Sequence, residues 1–557
     1  MAIPNVSLVI QQGLGGIPAS AGRTSLTLGI CSGGLINSLY GFADIPTLQG
    51  ALGSGPLVEA MADKINVAGG LQYAMPLNPT TVGTVSATDV TKVTGAATIV
   101  GSFAPTVPMS IKITTGGVLG TMLFSASLNG GAYGAPVLSP VGGVYQVPGT
   151  QTKITFPAGT YVLGDVYGLS TLGAFTLAGG GVNPAGFTQA SSPGDAYDVR
   201  VAISTGGALG TAVFVYSVDG NNNLSSQILV PASGKYVVAG TGILLTFAGT
   251  FNAGDIYAMT TTTASFSASD VATALAAFLA TRTPVAFVHV IGAGASAAAA
   301  ATLAATVDSA MTAAETAQLF EFGIIECPTT EVDSALATAF VTFVSRRVMV
   351  CAGDIAHISS ATPGRIIRRN CSVVIGSRLC AIKPSEHPGY VGSTKGNLPN
   401  VSSLYPNGSS AGWLPDVLDA NRFATLRSLP NRGYYVTRGR IMATAGDDYD
   451  NVMNRRVIDV ACTQGIFSMQ PFLNKDLKAP NGTIFDPEAV KIECIVRNQL
   501  EAAIVNTDDA TSVTVTLSRT EKILITKSMP TTIAVVPKGY AENIPILIGL
   551  INPAIAA

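Results

Sequence analysis

The segment Arg432–Ala461, RGYYVTRGRIMATAGDDYDNVMNRRVIDVA, opens the C-terminal part of the chain, which closes on NIPILIGLINP at residues 543–553. Between them, Asp486-Pro487 predicts the start of a helix, because Asp can cap a helix and proline suits its first turn. The helix that follows carries apolar side chains at roughly helical spacing: Val490, Cys494, Val496, Leu500 and Ile504.

Three short apolar runs follow this helix and predict strands: Val513–Leu517, Lys522–Thr526 and Ile533–Val536. Pro537, Lys538 and Gly539 then break the pattern. Since a helix and several strands occur within one stretch of the chain, residues 431–540 are predicted to form a C-terminal α+β domain.

Both ends of the chain alternate between apolar and other residues, as an isolated strand does. Residues 1–20 predict an N-terminal linking arm, and residues 541–557 predict a C-terminal linking strand. An unpaired strand exposes backbone hydrogen-bonding groups and tends to add to the edge of another sheet. We therefore expect the arms to join neighbouring subunits; the alternative is that both fold back on their own subunit. The arm side chains are Val6, Leu8, Ile10, Ile544, Ile546, Ile548 and Leu550.

An internal repeat occupies a region rich in glycine, threonine, serine and valine. ITTGGVLGTMLFSASLNG at residues 113–130 matches ISTGGALGTAVFVYSVDG at residues 203–220, 90 positions later. Short strands with frequent turns predict two tandem β-sandwich-like domains inserted in the chain, at residues 79–176 and 177–265. Their role is either decoration of the surface or binding of host cells or carbohydrate. Decoration is favoured, because neither copy is expected to have a cluster of exposed aromatic or acidic residues.

Apolar strands alternate with helices on both sides of the repeats, which predicts an α/β domain with a partly parallel sheet. This core domain comprises residues 21–78 together with 266–430, so the whole chain is expected to be a multi-domain α+β protein. The predicted strands are Thr24–Ile30, Leu71–Met75, Val285–Ile291, Phe322–Cys327 and Val348–Cys351. The predicted helices are Pro56–Ala68, Asp270–Thr281, Ala295–Leu319 and Glu331–Arg347.

The composition indicates a protein that works in an assembly. Of the 557 residues, 47% are hydrophobic and only 11% are charged, and the formal net charge is −2. Few charges leave a surface that is small and neutral or covered by other subunits, whereas a non-specific nucleic-acid binder would be markedly basic. The first cation is Arg23 and no run reaches the ~18 apolar residues of a membrane helix, so neither a signal peptide nor membrane insertion is expected. Seven cysteines without a CxxC pair predict a reducing compartment.

Candidate catalytic and ligand sites are weak. The turn Gly292-Ala293-Gly294-Ala295 follows an apolar strand, as in a dinucleotide-binding turn, but the acidic residue expected about 20 positions later is missing, so a tight turn of small residues is favoured. Cys371, Cys380 and His387 match no common zinc spacing, and His289 is expected to be a satisfied core residue. We expect no enzyme activity, no cofactor and no metal.

The C-terminal pattern resembles that of the tail sheath proteins of contractile bacteriophages. A second stretch, residues 37–77, resembles the sheath pattern of a YG turn, a helix and a Gly-Gly pair before a strand. The chain departs from that family between the two C-terminal helices. Many sheath proteins carry an aromatic-rich segment there, and this chain has GIFSMQPFLNKDLKAPNGTIF at residues 465–485 instead. The similar C-terminal pieces are RGY at 432–434, Asp448-Tyr449, NRRVID at 454–459, the helix after Asp486-Pro487, the hairpin and the terminal strand.

The resemblance implies a structural subunit of a contractile tail sheath, a helical homo-oligomer that is assembled in the host cytoplasm and forms part of a virion. Its partners would be the tail tube protein and the baseplate and tail terminator proteins, and its contraction would drive the tube through the host envelope. In sheaths the C-terminal helices face the tube, which would place Arg455 and Arg456 there. The alternatives are a solvated helix face with Asp459 as partner, and a phage or secreted protein whose β-modules bind a host surface.

Overall fold

The computed structural model describes most of the chain between residues 22 and 546. By compactness these residues form two units, one of 22–384 with 388–459 and the other of 385–387 with 460–546. The described ranges are 22–81, 85–91, 96–101, 109–128, 133–146, 153–156, 159–164, 166–169, 175–177, 188–190, 195–238, 241, 243–292, 294, 296–328, 333–405, 416–542 and 544–546.

The larger unit is built on a six-stranded sheet that is parallel except at one edge, where Tyr40–Phe42 runs antiparallel to its neighbour. The central strands Ser25–Gly29 and Phe287–Val290 are buried along their full length, as expected for parallel strands that are covered on both faces. The predicted partly parallel sheet is confirmed. Its strand order is Tyr40–Phe42, Gln72–Pro76, Ser25–Gly29, Phe287–Val290, Phe322–Glu326 and Val348–Cys351.

The helices of this unit follow the predicted pattern with three corrections. The helix predicted over Ala295–Leu319 is confined to Ala297–Thr316, with Ser296 as its N-cap. The helix predicted from Asp270 begins at Ala268, because Ser267 caps it and forms a reciprocal capping box with Asp270. The helix predicted over Glu331–Arg347 is confined to Asp333–Ala339, since the aromatic and β-branched residues 340–344 disfavour a helix. The described helices are Ile45–Leu52, Pro56–Ala68, Ala268–Thr281, Ala297–Thr316, Asp333–Ala339, Ser372–Ala381 and Asp416–Ala420.

Two small antiparallel sheets complete the core of the larger unit. In the first, Asp354–Ile358 pairs on one side with Ile366–Asn370 and on the other with Val401–Tyr405. The second is the hairpin of Leu426–Leu429 with Gly433–Val436.

The inserted region forms two β-modules with equivalent strand orders. In the first module, a five-stranded sheet faces a three-stranded one around Phe124 and Phe156, whose ring centroids are 4.7 Å apart. The second module repeats this core with Phe214 and Phe247 at 4.8 Å. The strand order of the five-stranded sheet in the first module is Phe175–Leu177, Val166–Leu169, Met109–Thr115, Leu123–Leu128 and Val137–Leu138. The strand order of its three-stranded sheet is Thr188–Ala190, Lys153–Thr155 and Val144–Gln146. In the second module the strand order of the five-stranded sheet is Val85–Thr91, Ile256–Thr261, Asp198–Thr205, Val213–Ser217 and Ile228–Leu229. The strand order of the three-stranded sheet is Ala96–Gly101, Ile243–Ala248 and Lys235–Val238. Gly207–Ala208 and Thr250–Phe251 form a short two-stranded sheet.

The two modules are nested, not tandem. Val85–Thr91 and Ala96–Gly101 precede the first module in the chain, yet they pair with Ile256–Thr261 and Ile243–Ala248 of the second module. The strands that lie 90 positions later, beginning near residues 175 and 188, pair instead with the first module. The first module, 109–190, is therefore inserted into the second. The predicted limits 79–176 and 177–265 do not follow this pairing, because a sequence repeat does not reveal which copy its edge strands join.

The smaller unit contains a long helix and a two-stranded hairpin, and it corrects three predictions. Asp486 is the first helical residue and its side chain does not cap the helix. The buried helix face includes Ala489 and Ile492, whereas Val490 is exposed. The run Lys522–Thr526 is not a strand, because Ile523–Thr526 forms one helical turn that ends at left-handed Lys527; so short an apolar run fits either structure. The elements are Gln470–Phe472, Asp486–Leu500, Glu501–Val505, Ser512–Leu517, Ile523–Thr526 and Thr531–Val536. They are preceded by the helix Val452–Met469, whose residues 452–459 belong to the larger unit.

Candidate interaction surfaces

Arg455 and Arg456, the residues predicted to face a tube, are both buried, with 5% and 2% of their surfaces exposed. Arg455 donates from Nε to Asp459 at 3.0 Å, and its guanidinium lies over the ring of Tyr449. Arg456 donates from one terminal nitrogen to the backbone carbonyls of Gly22, Leu379 and Ile382, at 2.8, 2.9 and 3.1 Å.

These contacts do not fit the predicted tube-facing role. A charged contact with a partner requires an exposed guanidinium, and both groups here are already paired inside their own subunit. The solvated-face alternative is also wrong, although its proposed pair between Arg455 and Asp459 is present. Adjacent residues on a helix point about 100° apart, yet both side chains are buried here, because Arg455 lies against Tyr449 and Asp459 while Arg456 lies against backbone carbonyls.

Asp459 belongs to a larger ion cluster that the sequence did not reveal, in which Glu315 is half-exposed and the other members are buried. Arg347 lies 3.4 Å from Asp459 and 2.7 Å from Glu315. Burial raises the pKa of Asp459, against the opposing effect of Arg455 and Arg347. Burial, with the negative charge of Asp459, also raises the pKa of Glu321 to about 8. These groups are far apart in the chain, so no local pattern could have indicated them.

A second buried ion cluster fastens the nested modules to the α/β core. Asp195 of the second module, which is fully buried, lies 3.1 Å from Arg365 and 2.5 Å from Arg369 of the core. Arg365 also pairs with Glu59 at 3.3 Å and lies 4.3 Å from the ring centroid of Tyr197. Burial opposes ionisation of Asp195, but the two arginines outweigh it and hold its pKa below the ordinary value. The modules are thus anchored to the core by charge.

The insertion begins and ends at one narrow neck. Thr80 donates its backbone N–H to the carbonyl of Ser265 at 2.8 Å, and Thr81 forms an antiparallel bridge with the same residue. Asn78 reaches Asp270 in the first turn of the next core helix at 3.2 Å. The two chain ends of the inserted region are therefore adjacent.

The hairpin of the smaller unit is packed on one face and open at its outer edges. Val513, Val515 and Leu517 are buried, and Glu493 on the helix Asp486–Leu500 accepts the backbone N–H of Leu517 at 2.6 Å. Hydrogen bonds from Arg519 lower the pKa of Glu493, since they favour its charged form. Among the described residues the sheet has only two strands.

The terminal arms are only partly described. Ile544 and Ile546 are 70% and 73% exposed, and they belong to no strand. The remaining predicted arm residues lie outside the described residues: Val6, Leu8, Ile10, Ile548 and Leu550.

The candidate nucleotide turn is occupied by a carboxylate of the chain itself. The N–H of Gly292 donates to Glu326 at 2.7 Å, and Ser372 donates to the same carboxyl at 2.5 Å. Burial raises the pKa of Glu326 to about 7, although both hydrogen bonds oppose this. The carboxyl of Glu326 already accepts the backbone N–H of Gly292 that a phosphate would need, so the turn is better suited to holding Glu326 than to binding a nucleotide.

The other candidate chemical sites are structural. His289 is fully buried, and burial with the nearby Lys64 lowers its pKa; neither of its ring nitrogens has a hydrogen-bond partner in the described part of the chain, so it is not the satisfied residue that we expected. A cavity of about 270 Å³ is lined in part by Asp63 and Asn400, but Asp63 is already bonded to Asn400 and Ser360. Within the described ranges, no group of three or more metal-ligating side chains occurs.

The solved structures to which the chain is similar include three sheath proteins. The sheath tail protein of Desulfitobacterium hafniense is 10% identical, with a TM-score of 0.40, over 96% of this chain and 100% of that one. The sheath tail protein of Listeria innocua is 9% identical, with a TM-score of 0.39, over 93% and 97%. The contracted helical sheath of the anti-feeding prophage is 16% identical, with a TM-score of 0.36, over 53% and 78%.

The described elements define a multi-domain protein of mixed α+β architecture with several separate sheets. The family model described as DUF2586, N-terminal domain, matches residues 3–440, and the chain belongs to this family. No curated protein matches the sequence. None of the helices in the described ranges combines the length and apolar character needed to span a membrane.

Proposed function

We propose that this protein is the subunit of a contractile tail sheath, which polymerises around a tail tube and contracts to drive the tube through a host envelope. Its partners would be further copies of the chain, the tail tube protein, and the baseplate and tail terminator proteins, in the tail of a phage or a phage-like particle. The observation that carries the proposal is the open two-stranded hairpin together with the exposed segment that contains Ile544 and Ile546.

Strand addition would satisfy both features at once. Apart from the N–H of Leu517, which Glu493 accepts, the outer edges of Ser512–Leu517 and Thr531–Val536 offer backbone N–H and C=O groups, and an incoming strand would pair with them. The terminal arms supply alternating apolar side chains for such a strand. If each copy gives arms to its neighbours and receives theirs, then the contacts propagate from copy to copy and produce a polymer.

The nested modules would lie on the outside of this polymer. The chain leaves the core for the modules and returns to it at the neck formed by Thr80, Thr81 and Ser265. The modules are therefore inserted at one position and do not interrupt the core sheet. Arg455 and Arg456 would stabilise the subunit rather than contact the tube, since both are buried.

Removal of residues 1–12 tests the linking role of the N-terminal arm. The truncated protein should remain folded, as judged by circular dichroism, but should not form tubes under conditions where the full chain does. A chain that lacks residues 554–557, which lie beyond the alternating arm side chains Ile544, Ile546, Ile548 and Leu550, is the matched control and should polymerise normally. Normal polymerisation of the protein without residues 1–12 would show that the N-terminal arm does not link subunits.

A further inference from the structure

Three loops meet at one end of the first β-module. Gly117 and Tyr161 exchange backbone hydrogen bonds of 2.9 and 2.8 Å, which joins the loop at 116–121 to that at 159–164. The N–H of Gly120 donates to Ser139 at 3.0 Å, which brings in the loop at 139–143. Gly120 has a φ of +84°, and a Cβ added there would lie 2.8 Å from Val141, so the loops are closely packed. We call this end of the module the tip.

The tip exposes aliphatic side chains. Val141 is 83% and Leu163 is 66% exposed, and Val118 and Val162 are about half exposed. The three loops contain no charged residue, and their single aromatic residue, Tyr161, is buried. Scattered apolar residues on a surface need no explanation, but a contiguous apolar patch of a few hundred Å² on a soluble protein often marks an interaction site.

The second module provides an internal comparison, because it has the same loops without the patch. Its equivalent of Tyr161 is Phe251, which is also buried, and its loop at 206–211 has the same glycine pattern. At the four exposed positions, however, the second module carries smaller or polar residues. Val118, Val141, Val162 and Leu163 correspond to Ala208, Ala232, Asn252 and Ala253. The apolar tip is therefore not required by the module's fold.

The chemistry of the tip favours another neutral aliphatic surface as its partner. A lipid surface is usually bound through basic residues together with exposed tryptophan or phenylalanine, and the tip loops have neither. Their lack of charge means that two copies of this chain can bring such surfaces together without electrostatic repulsion. Four aliphatic side chains that are half-exposed or more form a smaller surface than the ~800 Å² that each partner of a stable dimer buries. The tip would therefore give a weak contact, which adds to the overall affinity when many copies are held together.

We infer that the tip of the first module, formed by Val118, Val141, Val162 and Leu163, is a contact surface for a second copy of this chain. The inference does not depend on tubular assembly, since it concerns association between copies of any form. The contact is apolar, so it should persist or strengthen at high salt, where contacts between charged residues weaken.

The test replaces the tip residues by those of the second module, in the full chain. The variant V118A/V141A/V162N/L163A should raise the concentration at which copies associate by about tenfold or more, because it removes most of the exposed aliphatic surface. Sedimentation velocity in high salt measures this threshold. The matched variant A208V/A232V/N252V/A253L builds the patch on the second module and should lower the threshold. Circular dichroism and the thermal midpoint show whether each variant is folded.

Each outcome separates this inference from the sheath proposal. If the full chain forms tubes and the tip variant leaves the threshold unchanged, the inference is wrong and the sheath proposal is unaffected. If no tubes form but the tip variant still reduces association, the inference holds and the sheath proposal fails. Flotation of the full chain with phosphatidylcholine vesicles, lost in the tip variant, would identify lipid as the partner and overturn the inference.

Discussion

Buried arginines hold the larger unit together at two places, and their energetic roles can be measured singly. Arg456 satisfies three backbone carbonyls that belong to different parts of the chain. Removal of a buried charged donor leaves its acceptors without partners, which is costly because they have no water to replace it. The sequence NRRVID gave no sign of this, since a pattern of charges does not distinguish a solvated helix face from a buried one.

We predict that Arg456→Ala lowers the free energy of unfolding by about 3 kcal/mol. The control is Arg497→Ala, which removes a half-exposed arginine whose pair with Glu501 is 3.8 Å long; such surface pairs contribute less than ~0.5 kcal/mol. Urea unfolding followed by circular dichroism measures both. If the two variants unfold at the same urea concentration, the carbonyl contacts of Arg456 do not stabilise the fold.

We predict a pH-dependent effect of Glu326→Gln. Because burial raises the pKa of Glu326 to about 7, the folded protein holds this proton more tightly than the unfolded chain. Its contribution to stability is therefore present at low pH and is lost as the pH rises from about 4.5 to about 7. Glutamine does not ionise and so avoids this loss. The free energy of unfolding of the variant, relative to that of the natural protein, should therefore rise by up to ~3 kcal/mol as the pH increases over that range.

Urea unfolding at about pH 5 and about pH 8 checks the Glu326 prediction. The control, Glu501→Gln, changes a half-exposed carboxyl and should show no comparable gain. An equal pH dependence for Glu326→Gln and the natural protein would mean that this carboxyl titrates alike in the folded and unfolded states.

At the scale of elements, the sequence predicted the bounds of a helix correctly where it carried both a start signal and a stop signal. Pro56–Ala68 has its predicted bounds, because a proline opens it and a left-handed Gly69 closes it. Lys522–Thr526 lacked such signals, and so its apolar run was misassigned. The sequence repeat showed the period of the two modules but not their nesting. Val85–Thr91 pairs with a strand about 170 positions away, and no local sequence pattern indicates which of the two modules an edge strand joins.

The nesting predicts which half of the repeat can be removed. Deletion of 102–191 removes the whole first module and keeps every strand pair of the second, so strands Ile243–Ala248 and Ile256–Thr261 should retain their protection from hydrogen exchange. Deletion of 85–101 instead takes away only the edge strands of the second module, while their equivalents near 175 and 188 stay paired within the first module. Protection in Ile243–Ala248 and Ile256–Thr261 should then fall. Equal protection after both deletions would contradict the nested pairing.

At the scale of the whole molecule, the neck predicts that the entire insertion is dispensable for assembly. A chain without residues 82–264, rejoined through a short glycine linker, should fold and still assemble, because Thr81 and Ser265 are already adjacent. Arg365 and Arg369 would lose Asp195 but would become exposed to water, which limits the cost of leaving them unpaired. Electron microscopy shows assembly, and a folded core that no longer assembles would contradict the external placement of the modules.

The most direct measurement of the central proposal is electron microscopy of the purified full chain over a range of protein concentrations. A sheath subunit that links its copies through terminal strands should form long tubes or stacked rings with a central channel wide enough for a tail tube. A homogeneous population of single particles at every concentration, from a folded protein, would contradict the proposal that this chain is a sheath subunit.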